Sequence, residues 1–373
     1  MTTQPLNIVI LGLSITSSWG NGHATTYRAL VRGLEQRGHQ VLFLERDMPW
    51  YAAARDQAHP RRGRTILYRS LDQLKKKFHG AVRDADLVVV GSFVPQGIEL
   101  GKWVVGTAEG VTAFYDIDTP VTLAAIERGE SFYLSADLIP QYRLYLSFTG
   151  GPILERLERQ YGSPMARALY CAVDADLYQP LALPTRWDLG YMGTYSADRQ
   201  QVLQELLLEP ASRCPDARMV VAGPQYPSAI EWPANVERIE HLAPCAHPAF
   251  YNQQAFTLNL TRANMVHAGY SPSIRLFEAA ACGCPIISDW WEGLDAFFKV
   301  GEEILVAETP EQTLEYLFDL SAREREDIGR RARERVLSEH TALHRAVELE
   351  GYARKLLGAD SIRIRSIEIN NGY

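Results

Sequence analysis

Several features that would point to common activities are missing from this sequence. No Gly-x-Gly-x-x-Gly follows the first apolar run, Ile8-Val9-Ile10-Leu11, so a dinucleotide site is disfavoured. The five cysteines are scattered and odd in number, which gives no disulfide framework. Cys282-Gly-Cys284 lacks a second ligand pair, so it makes a poor zinc site. No window approaches the run of about 18 apolar residues that a membrane helix needs. The stretch Ile8 to Leu13 is too short for a secretory h-region and has no basic leader. Positive charge is not in excess. A net charge of −7 argues against gripping nucleic-acid phosphates. Low-complexity and short-period repeats are absent as well. The expectation is a cytoplasmic α/β chain whose 46% apolar content builds a core and whose 373 residues suit two domains.

The first half alternates strand and helix. Ile8–Leu11 reads as a buried parallel strand, and Tyr27, Leu30, Val31 and Leu34 fall at helical spacing after a loop containing Gly20-Asn21-Gly22-His23. Val41–Leu44 completes a βαβ unit. Ile66–Tyr68, Leu87–Val90, Val111–Tyr115 and Tyr145–Phe148 read as further strands. The lysine run Lys75–Lys77 suits a solvated helix face. Ligands of open α/β sheets bind outside the carboxyl ends of strands. The Gly20–His23 and Asp116–Thr119 loops both occupy such ends.

Cys171 to Arg186 reads as a linker, and a second α/β run follows. Leu189–Gly193 is a strand entering a glycine turn, then Thr194 and Arg199 lead into a helix. Met219–Gly223 and Phe256–Leu260 are strands. The most informative stretch is 269–289. Ser271 suits an N-cap, Pro272 the first helical position and Gly283 the stop, giving a helix of about 11 residues. Its first amides, at Ser273, Ile274 and Arg275, form a ready anion site. Glu278 lies one turn on, placed to accept hydrogen bonds from a ribose diol. The same spacing also suits an ordinary Arg–Glu helix pair. Helices from Pro310 to Leu357 follow, and the tail from Ser361 reads as an added strand or as disorder.

These features together resemble glycosyltransferases of the GT-B fold, group 1 style. The linker with Ala172-Val173-Asp174 and Tyr178-Gln179-Pro180, and the Glu-Ala-rich helix before Gly-x-Pro-Ile-Ile, carry the resemblance. It spans roughly Asn7 to Leu357. Tyr115–Thr122, Gly190–Tyr195 and Ser271–Glu278 are similar to the CgeB-like (spore maturation protein type) branch. Tyr270 stands where group 1 enzymes usually carry the first of two glutamates.

The resemblance implies two Rossmann-like domains facing a central cleft: an acceptor domain at 1–175, a nucleotide-sugar domain at 176–340, and a helix and tail at 341–373 crossing back. It implies sugar transfer to a glycan, protein or small-molecule acceptor from a UDP-, GDP- or dTDP-linked donor. No cofactor, metal, nucleic acid or integral membrane segment is expected. The donor would be held by Gly193, Thr194, Arg199, Ser273, Ile274, Arg275 and Glu278, with Arg262 a further candidate. In inverting relatives a histidine after the first strand is the general base, oriented by an aspartate, which here points to His23 with Asp118 or Asp116. His23 capping its helix and the aspartates making turn contacts is the plain structural alternative. Trp19, Phe93, Trp103, Phe114 and Tyr115 could stack on an apolar acceptor or fill the core. A non-catalytic GT-B scaffold and a GT-B sugar-nucleotide epimerase are the competing functions.

Overall fold

The protein is described by a computed structural model covering residues 4–19, 22–56 and 64–370, with backbone alone for 360–370. The chain divides into two compact units, Met1–Tyr170 with Ala342–Tyr373, and Cys171–Thr341. The Cys171–Arg186 connector, free of helix and strand, belongs to the second.

Apolar runs form the strands of the first unit: β1 (Asn7–Gly12), β2 (Gln40–Arg46), β3 (Arg64–Tyr68), β4 (Leu87–Gly91), β5 (Val111–Asp116), β6 (Leu144–Ser147) and β7 (Ala166–Ala168). They are parallel, in the order β3-β2-β1-β4-β5-β6-β7. Ile8 pairs with Val41 on one side and Leu87 on the other. Such strands are covered on both faces, which explains runs like Leu87–Val90 with no polar alternation.

The second unit repeats the plan with β8 (Trp187–Met192), β9 (Met219–Ala222), β10 (Val236–Ile239), β11 (Gln254–Asn259), β12 (Ile286–Ser288) and β13 (Leu305–Val306). The order is β10-β9-β8-β11-β12-β13, again parallel. Each sheet reverses its winding once, between β1 and β4 and between β8 and β11. Those two crevices are where a doubly wound sheet receives a ligand.

Three expectations are corrected. Strands β7, β10 and β13 were not anticipated; they have two to four residues and too little pattern to show. The helix after Ser271 is shorter, Ile274–Ala281, with Ser273 at its N-cap. The tail is neither strand nor disorder up to Asn370. It continues a helix that begins at Ala342, since no proline interrupts a helix already propagating. Residues 371–373 lie outside the described residues.

That last helix packs on the His23–Gln36 helix of the first unit. Gly33 is needed there, because a Cβ would strike the Ala342 carbonyl. Glu350 is buried at the contact and bonds Arg37 and Arg354, with His39 Nε2 at 3.3 Å. His39 Nδ1 in turn accepts from the Leu6 amide at 3.1 Å. Glu350→Ala should cost about 2 kcal/mol, less than for a fully buried pair because both arginines can rehydrate. Urea titration followed by circular dichroism should show an earlier midpoint.

Candidate functional site

In the second unit the crevice between β8 and β11 is spanned by Arg275. Its Nη1 donates to the Met192 carbonyl (3.2 Å) and its Nη2 to the Leu260 carbonyl (2.7 Å). The guanidinium also sits 5.4 Å from the Tyr191 ring centre. Arg199 enters from the helix Ala197–Leu203 and donates to the Thr194 carbonyl at 2.6 Å. Among the described residues neither arginine forms an ion pair with a carboxylate, and the Nε of each is buried without a hydrogen bond. The Tyr191 hydroxyl beside them is likewise buried and unpartnered. Burial lowers the Arg199 pKa, and the neighbouring charges of Arg275 and Arg262 lower it further. The three guanidinium groups therefore lie close enough to act on one another electrostatically.

The backbone around them is built from glycine. A Cβ on Gly193 would lie 2.5 Å from the Tyr191 hydroxyl and 3.1 Å from Arg275 Nη1. Gly223 has φ +147°, and a Cβ there would strike the Gly193 carbonyl. The same carbonyl accepts from the Tyr226 hydroxyl at 3.1 Å. Arg238 braces that tyrosine, stacking 4.2 Å from Tyr226 and 4.3 Å from Trp232 while bonding the Val221 and Gly223 carbonyls. Tyr191, Gly223, Tyr226 and Arg238 were missed in the sequence. Only the glycine ending its strand gave a readable signal.

The Ile274–Ala281 helix points its first turn at the same strand ends. Ser273 gives its hydroxyl to Asn259 Oδ1 (2.6 Å) rather than to a helix amide, and Asn259 Nδ2 reaches Ser288 Oγ at 3.0 Å. Ser271 turns instead to the Met265 sulfur. This tie across the ends of β11 and β12 is why the helix starts late. The amides opening it are those of Ile274 and Arg275. Tyr270 precedes it in a left-handed backbone, φ 47°, held by the Glu292 carbonyl at 2.6 Å.

Glu278 faces elsewhere. It is buried, accepts from the Tyr251 hydroxyl at 3.2 Å, and lies 3.9 Å from His247 Nδ1, which the Tyr178 hydroxyl approaches at 3.2 Å. Burial pushes its carboxyl up to about 7, against the two tyrosine hydroxyls and Arg275, which pull it down. The Arg275–Glu278 ion pair of an ordinary helix face is not formed.

In the first unit His23 opens its helix at the β1–β4 crevice. Its ring is buried, 6.4 Å from Tyr27 and edge-on to Phe93 at 5.5 Å. Burial lowers its pKa to about 4. Among the described residues His23 Nδ1 has no hydrogen-bond partner. Asp118 caps the Thr119–Glu127 helix, its amide donating to Asp116 Oδ1 at 3.2 Å. Asp116 is the buried carboxyl of the pair. It accepts from Tyr145 (2.5 Å) and Thr122 (3.0 Å), yet burial still raises its pKa to about 7.

Residues 199–351 match the family model described as glycosyl transferase-like, which covers most of the second unit and the start of the terminal helix. Over that stretch the chain is similar to glycosyl transferase-like proteins. It is a transferase on that match, and its fold is GT-B on the likeness to solved structures. Anabaena HepE in complex with UDP and glucose is 11% identical, with a TM-score of 0.70 over 94% of this chain and 100% of that one. Sucrose-phosphate synthase from Thermosynechococcus elongatus is 15% identical, with a TM-score of 0.66 over 95% and 100%. An alpha-glucosyltransferase in complex with UDP-glucose and DNA containing an abasic site is 12% identical, with a TM-score of 0.68 over 94% and 100%. No curated protein is a significant match. Among the described residues no helix is long and apolar enough to cross a membrane.

The buried acids of this transferase set its pH response. Asp116 and Glu278 have folded pKa values raised above their unfolded ones, so they contribute stability that is full below about pH 4 and is lost as pH rises from there to about 7. His23, with a depressed pKa, acts oppositely and costs stability as pH falls from about 6.5 to 4. The two slopes oppose each other over the same interval. Asp116→Asn should raise the melting temperature at about pH 7 relative to about pH 4, and His23→Phe should raise it at about pH 4 relative to about pH 7.

Proposed function

We propose that the protein transfers a sugar from a nucleotide-sugar donor, held by the second unit, to an acceptor held by the first. The observation that carries this is the pair Arg199 and Arg275, two half-buried cations at the β8–β11 crevice held by backbone carbonyls and, among the described residues, by no carboxylate ion pair. As the glycosidic bond breaks, negative charge gathers on the leaving nucleoside diphosphate. Fixed guanidinium charge and the opening amides at Ile274 and Arg275 stabilise it more in the transition state than in the bound donor. Gly193 and Thr194 bring backbone close to the phosphates. Cationic side chains thereby take the role a divalent ion would otherwise fill, and we read the reaction as metal-independent with no cofactor beyond the donor. A UDP-linked donor is our first choice, because UDP accompanies several similar structures. The CgeB-like branch remains our assignment on Ser271–Glu278 and Gly190–Tyr195. The five free cysteines suit a cytoplasmic setting.

On the acceptor side we read His23 as the base, beside the Asp116–Asp118 turn. Its burial keeps the imidazole neutral at pH 7 and able to take the hydroxyl proton as the acceptor oxygen attacks the anomeric carbon. Glu278 supports the donor helix from behind through Tyr178 and Tyr251, and reads ribose only if the donor displaces one of those hydroxyls.

Titrating the protein with UDP, GDP and dTDP, and following UDP-glucose by NMR, tests this reading. One nucleotide should bind with saturation, and the matching sugar donor should hydrolyse slowly. Arg199→Ala and Arg275→Ala should each weaken nucleotide binding about tenfold or more. His23→Ala should lower transfer about 10²–10⁴-fold with nucleotide binding kept. Absence of binding to all three diphosphates would sink the proposal. Binding without turnover across donors would favour a scaffold.

A further inference from the structure

We propose that Phe93 is the stacking platform for the acceptor, and that the acceptor offers it a flat apolar face, either an aryl ring or the C–H face of a sugar. This deepens the acceptor half of the function above and rests on it.

Phe93 stands two residues beyond the end of β4, at the crevice where β4 lies beside β1. Its backbone is left-handed, φ 62°, a conformation that a bulky side chain adopts only under constraint. The constraint does not serve the core. The ring is 40% exposed, whereas Phe114 and Tyr115 on the adjoining strand are fully buried. A glycine would hold the turn with less strain, so the aromatic ring itself is what the position retains.

The ring is held from within the unit. It lies 4.5 Å from Tyr133, whose hydroxyl is fixed by Thr122 at 2.6 Å. Its edge meets the His23 imidazole at 5.5 Å and 88°. Alongside, two buried polar atoms have no partner, His23 Nδ1 and the Tyr27 hydroxyl. An apolar face next to the residue read as the base selects a flat apolar body that carries a hydroxyl. The exposed Trp19 and Phe93 are then the aromatics of the acceptor side. Phe114 and Tyr115 belong to the core.

Calorimetry on the full chain without nucleotide tests the proposal. The probes are 4-nitrophenyl β-D-glucopyranoside and methyl β-D-glucopyranoside. Saturable binding of the nitrophenyl glucoside alone identifies an aryl face, and binding of both identifies the sugar face. Phe93→Gly should weaken that binding about tenfold or more. Phe93→Tyr, which keeps the ring, should bind as the parent does. If neither glucoside binds, if Phe93→Tyr loses binding, or if Phe93→Gly binds them as the parent does, the platform is refuted. No nucleotide is present, so these outcomes are separate from those of the diphosphate titrations.

Discussion

A parallel sheet ends in a row of carbonyl oxygens, and where its winding reverses two neighbouring strand ends are left without a crossover to cover them. In the second unit one guanidinium spans that gap. Arg275 bonds the carbonyls that follow β8 and β11, and through them sets the start of the Ile274–Ala281 helix against the Gly193 turn. The Gly193 carbonyl is held by Tyr226, Tyr226 is stacked on Arg238, and Arg238 grips the end of β9. The positive charge left over is the chemical content of the site. Backbone carbonyls orient arginine without cancelling its charge, whereas a carboxylate partner would have neutralised it.

The two units treat buried ionisable groups alike. Asp116 and Glu278 both lie behind the loops that reach the crevices, and both are held by tyrosine hydroxyls while burial raises their pKa values. Each acts as support: Asp116 anchors the turn into the Thr119–Glu127 helix, and Glu278 ties the donor helix to the connector through Tyr178 and to the His247–Asn252 helix through Tyr251. His23 shifts the other way because its neutral form is the one burial favours. Near neutral pH the buried base is therefore uncharged, while each buried acid is about half protonated.

The sheet of each unit was readable because continuous apolar runs bounded by glycine and polar loops are a local signal. So were the helix carrying Arg275 and Glu278 and the turn at Gly193. The short edge strands β7, β10 and β13 were not, because two to four residues acquire strand character only from the neighbour they pair with. The start of the donor helix was misplaced by two residues. Local rules favoured Ser271 and Pro272, but Asn259, reaching from β11, takes the Ser273 hydroxyl and fixes the cap there.

The sequence by itself determined which residue types stand near the strand ends: Arg199 and Arg275 for charge, Gly193 for close approach, His23 and the Asp116–Asp118 turn as titratable groups. Only the tertiary structure decided which of them face one another. Arg275 turned to strand carbonyls and Glu278 to two tyrosines, though they sit one helical turn apart. Asp116 became the buried acid and Asp118 the cap, though they are two residues apart. Phe93 stayed at the surface while Phe114 and Tyr115 went inside. The reason is that side-chain direction and burial are set by strand order and helix packing, which pair residues far apart in the chain, whereas pattern and propensity act only over a few neighbours.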